Sequence, residues 1–158
     1  MSVPPIGESY RGAEGRTGFL VRQLWHELRG AMDVALRAHG LSAVQFGVLS
    51  VLARNPDVSG AELARASNIS PQAMNGILVT LEREGLVERR PHPSHGRILQ
   101  ASLTDEGQRR LHSARPVVDA LEAALDEGLS GKQRALVREW LVAAAKRMDG
   151  EGTSLPDR

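Results

Sequence analysis

The chain has 158 residues, 41% of them apolar and only 3% aromatic, which is enough for one domain around a core of Leu, Val and Ala. A formal net charge of +1 and a pI near 8.3 exclude a polycationic protein, so any basic footprint has to be local. The lack of cysteine excludes disulfides and thiol switching, and no signal-peptide region or membrane-length apolar run is present, so a cytoplasmic protein without membrane contact is expected.

Residues 1–16 are rich in Pro, Gly and charge and read as a flexible arm, with disorder favoured over DNA contact by Arg11 and Arg16. Thr17 to Ala38 reads as a long helix with an apolar stripe of Leu20, Leu24, Leu28, Ala31 and Ala35, widened by Trp25 and Met32; Gly40 stops it. That stripe exceeds what a small lobe covers, and the excess reads as dimer contact. Ser42 and Gln45 form a capping box for the next helix, with Val44, Val48, Val51 and Leu52 inward and Arg54-Asn55-Pro56-Asp57 as its end. Arg22, Trp25 and His26 on the first helix and Phe46 on the second form one candidate ligand crevice. The alternative puts Trp25 and Phe46 in the core and leaves His26 on the surface or with a satisfied partner.

A second capping box, Ser59-x-x-Glu62, opens a short helix that runs to about Ala66. Ser67-Asn68-Ile69 is a turn. Ser70 caps a further helix with Pro71 at its first position, and Gly85 closes it. Met74, Ile77, Leu78 and Leu81 give this helix one buried face. The opposite face carries Gln72, Ala73, Asn75, Gly76 and Thr80, with Val79 as its one bulky aliphatic residue. Short side chains permit close approach to a major groove, and amides pair with adenine edges.

Period two then replaces the helical spacing. Leu86 to Arg90 reads as one strand and Arg97 to Leu103 as its partner, joined by the loop Pro91-His92-Pro93-Ser94-His95-Gly96. Arg83, Arg89, Arg90 and Arg97, with the two loop histidines, outweigh Glu84 and Glu88. Helix, helix and basic hairpin in this order point to DNA binding. Solvated arginines on a packing module are the plainer alternative.

Thr104 begins a helix whose stripe is Leu111, Ala114, Val118, Leu121 and Leu125, with a kink expected at Pro116 and an end at Gly128. Ser130 and Gln133 form a third capping box for a last helix with Leu136, Val137, Trp140, Leu141 and Ala144 on one face. With the first helix these would make a dimer interface, and 150–158 reads as a frayed tail. No dinucleotide, phosphate-loop or nucleophile-elbow motif occurs, so no catalytic residue and no cofactor is expected. His92-x-x-His95, even with His112, lacks the close Cys or carboxylate that completes a metal site, so none is expected; a wing histidine beside phosphate is the better reading.

Gly60-Ala61-Glu62-Leu63-Ala64, Ile69-Ser70-Pro71-Gln72, Leu81 through Arg90, His95-Gly96-Arg97 and Leu103-Thr104-Asp105-Glu106-Gly107 together resemble the MarR family of bacterial transcriptional regulators. The likeness extends from about Thr17 into the C-terminal helices. It implies a homodimeric winged helix-turn-helix repressor or activator, often released from DNA by a small ligand bound between the dimerisation helices and the DNA-binding lobe. Family members commonly carry an aspartate and an arginine just before the wing-tip arginine. Here those places hold His95 and Gly96, and the wing arginine maps to Arg97.

The expected protein is mostly α with a small antiparallel β wing, a single domain over 1–158. The DNA-binding lobe spans about 42–104, the dimerisation helices about 17–40 and 105–149, and the flexible ends 1–16 and 150–158. Its expected function is to repress nearby genes from a pseudo-palindromic operator under a small-molecule effector. The expected DNA-binding set is Ser70, Gln72, Ala73, Asn75, Gly76, Thr80, Arg83, Arg89, Arg90, His95 and Arg97. Arg89 or Arg90 could instead pair with Glu88 or Glu84. A winged-helix module that binds ligand or protein without specific DNA binding is the alternative, and an enzyme is a further rival.

Overall fold

A computed structural model describes residues 3–94, 96 and 98–149. Helices α1 (Thr17–Leu36), α2 (Ala43–Arg54), α3 (Gly60–Ala66), α4 (Pro71–Arg83), α5 (Asp105–Leu125) and α6 (Gly131–Met148) alternate with strands β1 (Val58–Ser59), β2 (Val87–Pro91) and β3 (Leu99–Leu103). The chain divides into two units, one ending at Leu121 and one beginning at Glu122.

The first unit holds the core. Leu36, Phe46, Val48, Leu49, Leu52, Leu63, Met74, Leu78, Leu81, Leu86, Val87, Leu111 and Val118 are buried together. On α2 the inward residues are Ala43, Phe46, Val48, Leu49 and Leu52, whereas Val44 and Val51 are half-buried, so the buried face is rotated from the one expected. On α1 only Leu36 is buried; Leu24 and Trp25 are exposed. The first helix stops sooner than expected and a 3-10 turn, Arg37–His39, leads to Gly40 at φ +65°.

Polar side chains cap the helix starts as their spacing predicts. Ser42 with Gln45, and Ser59 with Glu62, form reciprocal capping boxes, each side chain satisfying a backbone donor left open at the helix start. Ser70 Oγ accepts from Ala73 N–H at 3.2 Å, with Pro71 in the first turn of α4. Gly85 takes φ +70° after α4, a left-handed conformation that costs glycine little.

The sheet has three strands in the order β1-β3-β2, not the two of a simple wing. β1 pairs with β3 antiparallel through Val58↔Ala101 and Ser59↔Gln100. β2 pairs with β3 from Val87↔Leu103 to Pro91↔Leu99, so each strand is slightly shifted from its expected span. The helix α5 runs on through Pro116, which is exposed, with no break in its span.

Part of the N-terminal arm, expected to be flexible, packs against α1. Arg11 donates to Gln23 Oε1 at 3.0 Å and to the Pro4 carbonyl, while Tyr10 packs edge-on to Phe19 with centroids 5.5 Å apart. An arginine so engaged with α1 is not an outstretched DNA contact. The tail beyond 149 lies outside the described residues.

In the second unit, a capping box of Ser130 and Gln133 starts α6, and Arg138 pairs with Asp126 at 2.6 Å. No residue of α6 is buried: Leu136, Val137, Trp140, Leu141 and Val142 all lie exposed. No single helix among the described residues is long and apolar enough to cross a membrane.

Candidate nucleic-acid interface

The exposed face of α4 is open and small. Gln72, Ala73, Asn75 and Gly76 are all exposed, and nothing lies within 4 Å of where a Cβ on Gly76 would be. Ala73, Gly76 and Thr80 line a shallow depression of about 400 Å³ with Ser42 and Gln45. Thr80 is half-buried and its hydroxyl donates to the Gly76 carbonyl at 3.1 Å. Ser70 caps the helix from its exposed start. These small or amide-bearing positions therefore share one accessible surface, whose Ser70-to-Ala73 end lies at the positive end of the helix dipole, where phosphate is favoured.

The last turn of α4 and the strand β2 supply cations beside this surface. Arg83 and Arg90 are exposed, and Arg90 pairs with Glu88 at 2.8 Å. Arg89 behaves differently. Its Nε and Nη2 both donate to Glu82 Oε2, at 3.0 and 2.6 Å, and its Nη1 donates to Asn75 Oδ1 at 3.3 Å. Neither Glu88 nor Glu84 takes it; Glu84 accepts from Gln45 Nε2 instead. The sequence positions His95 and Arg97 lie outside the described residues.

His92 sits at the base of the loop, where its backbone N–H donates to Ile98 O at 2.7 Å and its Nδ1 accepts from Ser94 N–H. It lines a cavity of about 370 Å³ of mixed charge, with Asp57, Ser59, Glu62, Arg65 and Gln100. The Ser59 hydroxyl and backbone N–H both donate to Glu62, and these bonds, aided by Arg65 and His92, hold its carboxyl below the ordinary value of 4.5. A lowered folded-state value stabilises the fold above the unfolded value, and that contribution is lost as pH falls through the folded one. Acid unfolding of a Glu62→Gln variant should accordingly be less steep below pH 4.5 than that of the parent, measured by circular dichroism. Parallel acid limbs would refute this cap's role.

The candidate ligand residues separate. Arg22, Trp25 and His26 line one cavity of about 580 Å³ on α1, together with Tyr10, Arg11 and Phe19. Phe46 does not join them; it is buried in the core, because its position on α2 faces Leu49 and the rest of the inner stripe. Trp25 is 57% exposed, so the core reading of that residue is also overturned. Arg22 stands 5.3 Å over the Phe19 ring. Tyr10 and Phe19 are cavity residues that the sequence reading missed; two of only five aromatics lying near each other in sequence was the available signal. Among the described residues no group of three or more His, Asp or Glu is placed to hold a metal, and His112 is exposed on α5.

A family model described as MarR family matches residues 39–98. The HTH-type transcriptional repressor Rv2887 of Mycobacterium tuberculosis is 38% identical over 117 residues, covering 74% of this chain and 84% of the relative. Among solved structures, Rv2887 in complex with salicylic acid matches at 35% identity with a TM-score of 0.65, covering 82% of this chain and 96% of that one. The transcriptional repressor CouR bound to a 23-mer DNA duplex matches at 26% identity and a TM-score of 0.78, over 91% and 99% of the two chains. The capped helix α4, the hairpin and the flanking helices thus agree with the likeness over most of the chain's length, and the chain belongs to the MarR family of winged helix-turn-helix transcriptional regulators.

Proposed function

We propose that this protein is a homodimeric, cytoplasmic repressor that reads a pseudo-palindromic operator with α4 and is released by a small anionic aromatic effector. The observation that carries the reading is the exposed N-terminal face of α4, which presents amides and small residues beside an arginine-bearing hairpin. In this reading Gln72 and Asn75 meet base edges, and Ala73 and Gly76 permit close approach. Ser70, Thr80, Arg83 and Arg90 meet phosphate, His95 lies beside it, and Arg97 enters the minor groove. Residues 42–104 act as the DNA-binding lobe, and 17–40 and 105–149 as dimerisation helices. Half-site centres are then about 10 base pairs apart. The effector reading is supported by Arg22, Trp25 and His26 sharing a cavity with Tyr10 and Phe19, and by salicylic acid bound to the relative Rv2887.

The test compares Asn75→Ala and Arg97→Ala with the parent, on a duplex selected from a randomised pool and on a scrambled duplex, across a salt series. Asn75→Ala should lose about 1–3 kcal/mol of discrimination per half-site while keeping weak binding to scrambled DNA. Arg97→Ala should weaken binding to both duplexes and lower the salt slope by about one for each phosphate that is no longer neutralised. Unchanged discrimination in Asn75→Ala would remove α4 as the reader. A parent that binds neither duplex nor heparin would leave the module without DNA affinity as the better account.

A further inference from the structure

We infer that Arg89 is a positioning residue for base reading, which fixes the orientation of the Asn75 amide rather than contacting phosphate. The inference rests on α4 being the reading helix and assigns Arg89 a part in specificity.

A guanidinium carries only N–H donors, and the side-chain amide of asparagine carries an acceptor oxygen on one side and a donor NH2 on the other. An amide on an exposed helix face can present either edge by a half-turn about its last bond. Next to Arg89 it cannot do so freely. Nη1 of Arg89 lies 3.3 Å from Asn75 Oδ1, and turning the amide over would set NH2 against a cation with no acceptor. The oxygen therefore faces the hairpin and the NH2 faces away from it.

Such a lock works only if the guanidinium is itself held. Asn75 and Glu82 lie seven residues apart, two turns along the same side of α4, and Arg89 reaches both from β2. Its Nε and Nη2 converge on one oxygen of Glu82, a charge-assisted double contact that sets the plane of the group and aims Nη1 at Asn75. The Arg89 side chain is only 18% exposed, against 75% for its neighbour Arg90. Of the two adjacent arginines, Arg90 is the one open to phosphate. Arg89 has Nε, Nη1 and Nη2 committed within the protein. Lysine cannot replace it here, because a single ammonium has no planar fork to span a carboxylate and an amide.

An amide with one fixed orientation discriminates better between bases than one that can turn over, because a flipping amide satisfies a wrong base by presenting its other edge. Loss of Arg89 should therefore relax base preference at the position Asn75 reads and nowhere else.

The experiment uses the full chain and a randomised duplex pool, with the bound fraction sequenced for the parent, Asn75→Ala, Arg89→Lys, and the double variant. Arg89→Lys keeps the charge, so scrambled-duplex affinity and salt slope should match the parent's. Base preference should fall about tenfold at one position per half-site, the same position that Asn75→Ala relaxes. The double variant should show no further loss beyond Asn75→Ala alone. A structural role would instead weaken all positions and scrambled DNA together, and that result overturns the proposal, as does full preference retained by Arg89→Lys. Glu82→Gln, which loosens the guanidinium from the other side, should reproduce a smaller loss at the same position. If Asn75→Ala keeps its preference, α4 reading itself fails and Arg89 positioning with it. If Asn75→Ala loses preference while Arg89→Lys does not, only the positioning role fails.

Discussion

Gly107→Ala should destabilise the protein by about 3 kcal/mol, the upper part of the range for forcing atoms into a packed site. At this chain length that lowers the melting temperature by about 6–12 °C. A Cβ on Gly107 would stand 2.0 Å from the Leu86 carbonyl oxygen and 3.0 Å from its carbon, and both are backbone. Leu86 cannot retreat easily. Its N–H donates to Leu81 O at 2.9 Å, its carbonyl accepts from Thr104 N–H at 3.1 Å, and its side chain is fully buried. The Thr104 hydroxyl completes the clamp, donating to Gly85 O at 2.6 Å and accepting from Gly107 N–H at 3.0 Å. The start of α5 is thereby tied to the turn between α4 and β2, and the added methyl would push the two apart. Gly47→Ala is the control: it lies exposed on α2 with nothing within 4 Å, and should gain up to about 1 kcal/mol. Thermal melts at equal protein concentration decide it. A Gly107→Ala variant melting with the parent would mean that the close approach is not a constraint.

The clamp also marks what was legible in the sequence. Helix starts were readable because Ser42, Ser59, Ser70 and Ser130 act on backbone donors only three residues away. The buried stripe of α4 was readable because helical periodicity alone sets which residues share a face. What escaped depends on contacts between distant segments. β1 has two residues and no alternating pattern, and it exists because β3 offers an edge at Ala101 and Gln100. Arg89 chose Glu82 over the nearer Glu88 because the turn after α4 folds β2 back along that helix, which sequence distance conceals. Phe46 was ambiguous by sequence because an aromatic near a helix junction fits both a core and a crevice. The core took it because Leu49 and Leu52 lie on the same inner side of α2. For the exposed face of α4, residue type and helix position sufficed to bring Gln72, Ala73, Asn75 and Gly76 together. The Arg89 lock on that surface did not follow from spacing.

Leu141→Asp should convert the protein to a monomer at micromolar concentration and cost it most of its operator affinity. Leu136, Val137, Trp140, Leu141 and Val142 are between 42% and 65% exposed on α6, and none of that helix is buried within a single chain. By their spacing Leu136, Val137, Trp140 and Leu141 share one side of the helix, and an exposed apolar face of this kind is uncommon on monomers and marks an interface. Because the side chain takes no part in the core of its own chain, the aspartate should leave folding nearly untouched. In the dimer it would place a carboxylate among apolar groups, where desolvation costs several kcal/mol. Every 1.4 kcal/mol weakens association about tenfold, so the dimer dissociation constant should rise at least ~100-fold. A monomer engages one half-site, which removes the second set of phosphate contacts and roughly halves the salt slope. Sedimentation velocity and a salt series on the pool-selected duplex measure both consequences on the same samples. A variant that sediments as a dimer with parental affinity would place the interface elsewhere on the chain. A monomer with undiminished operator affinity would break the link between assembly and two-site reading.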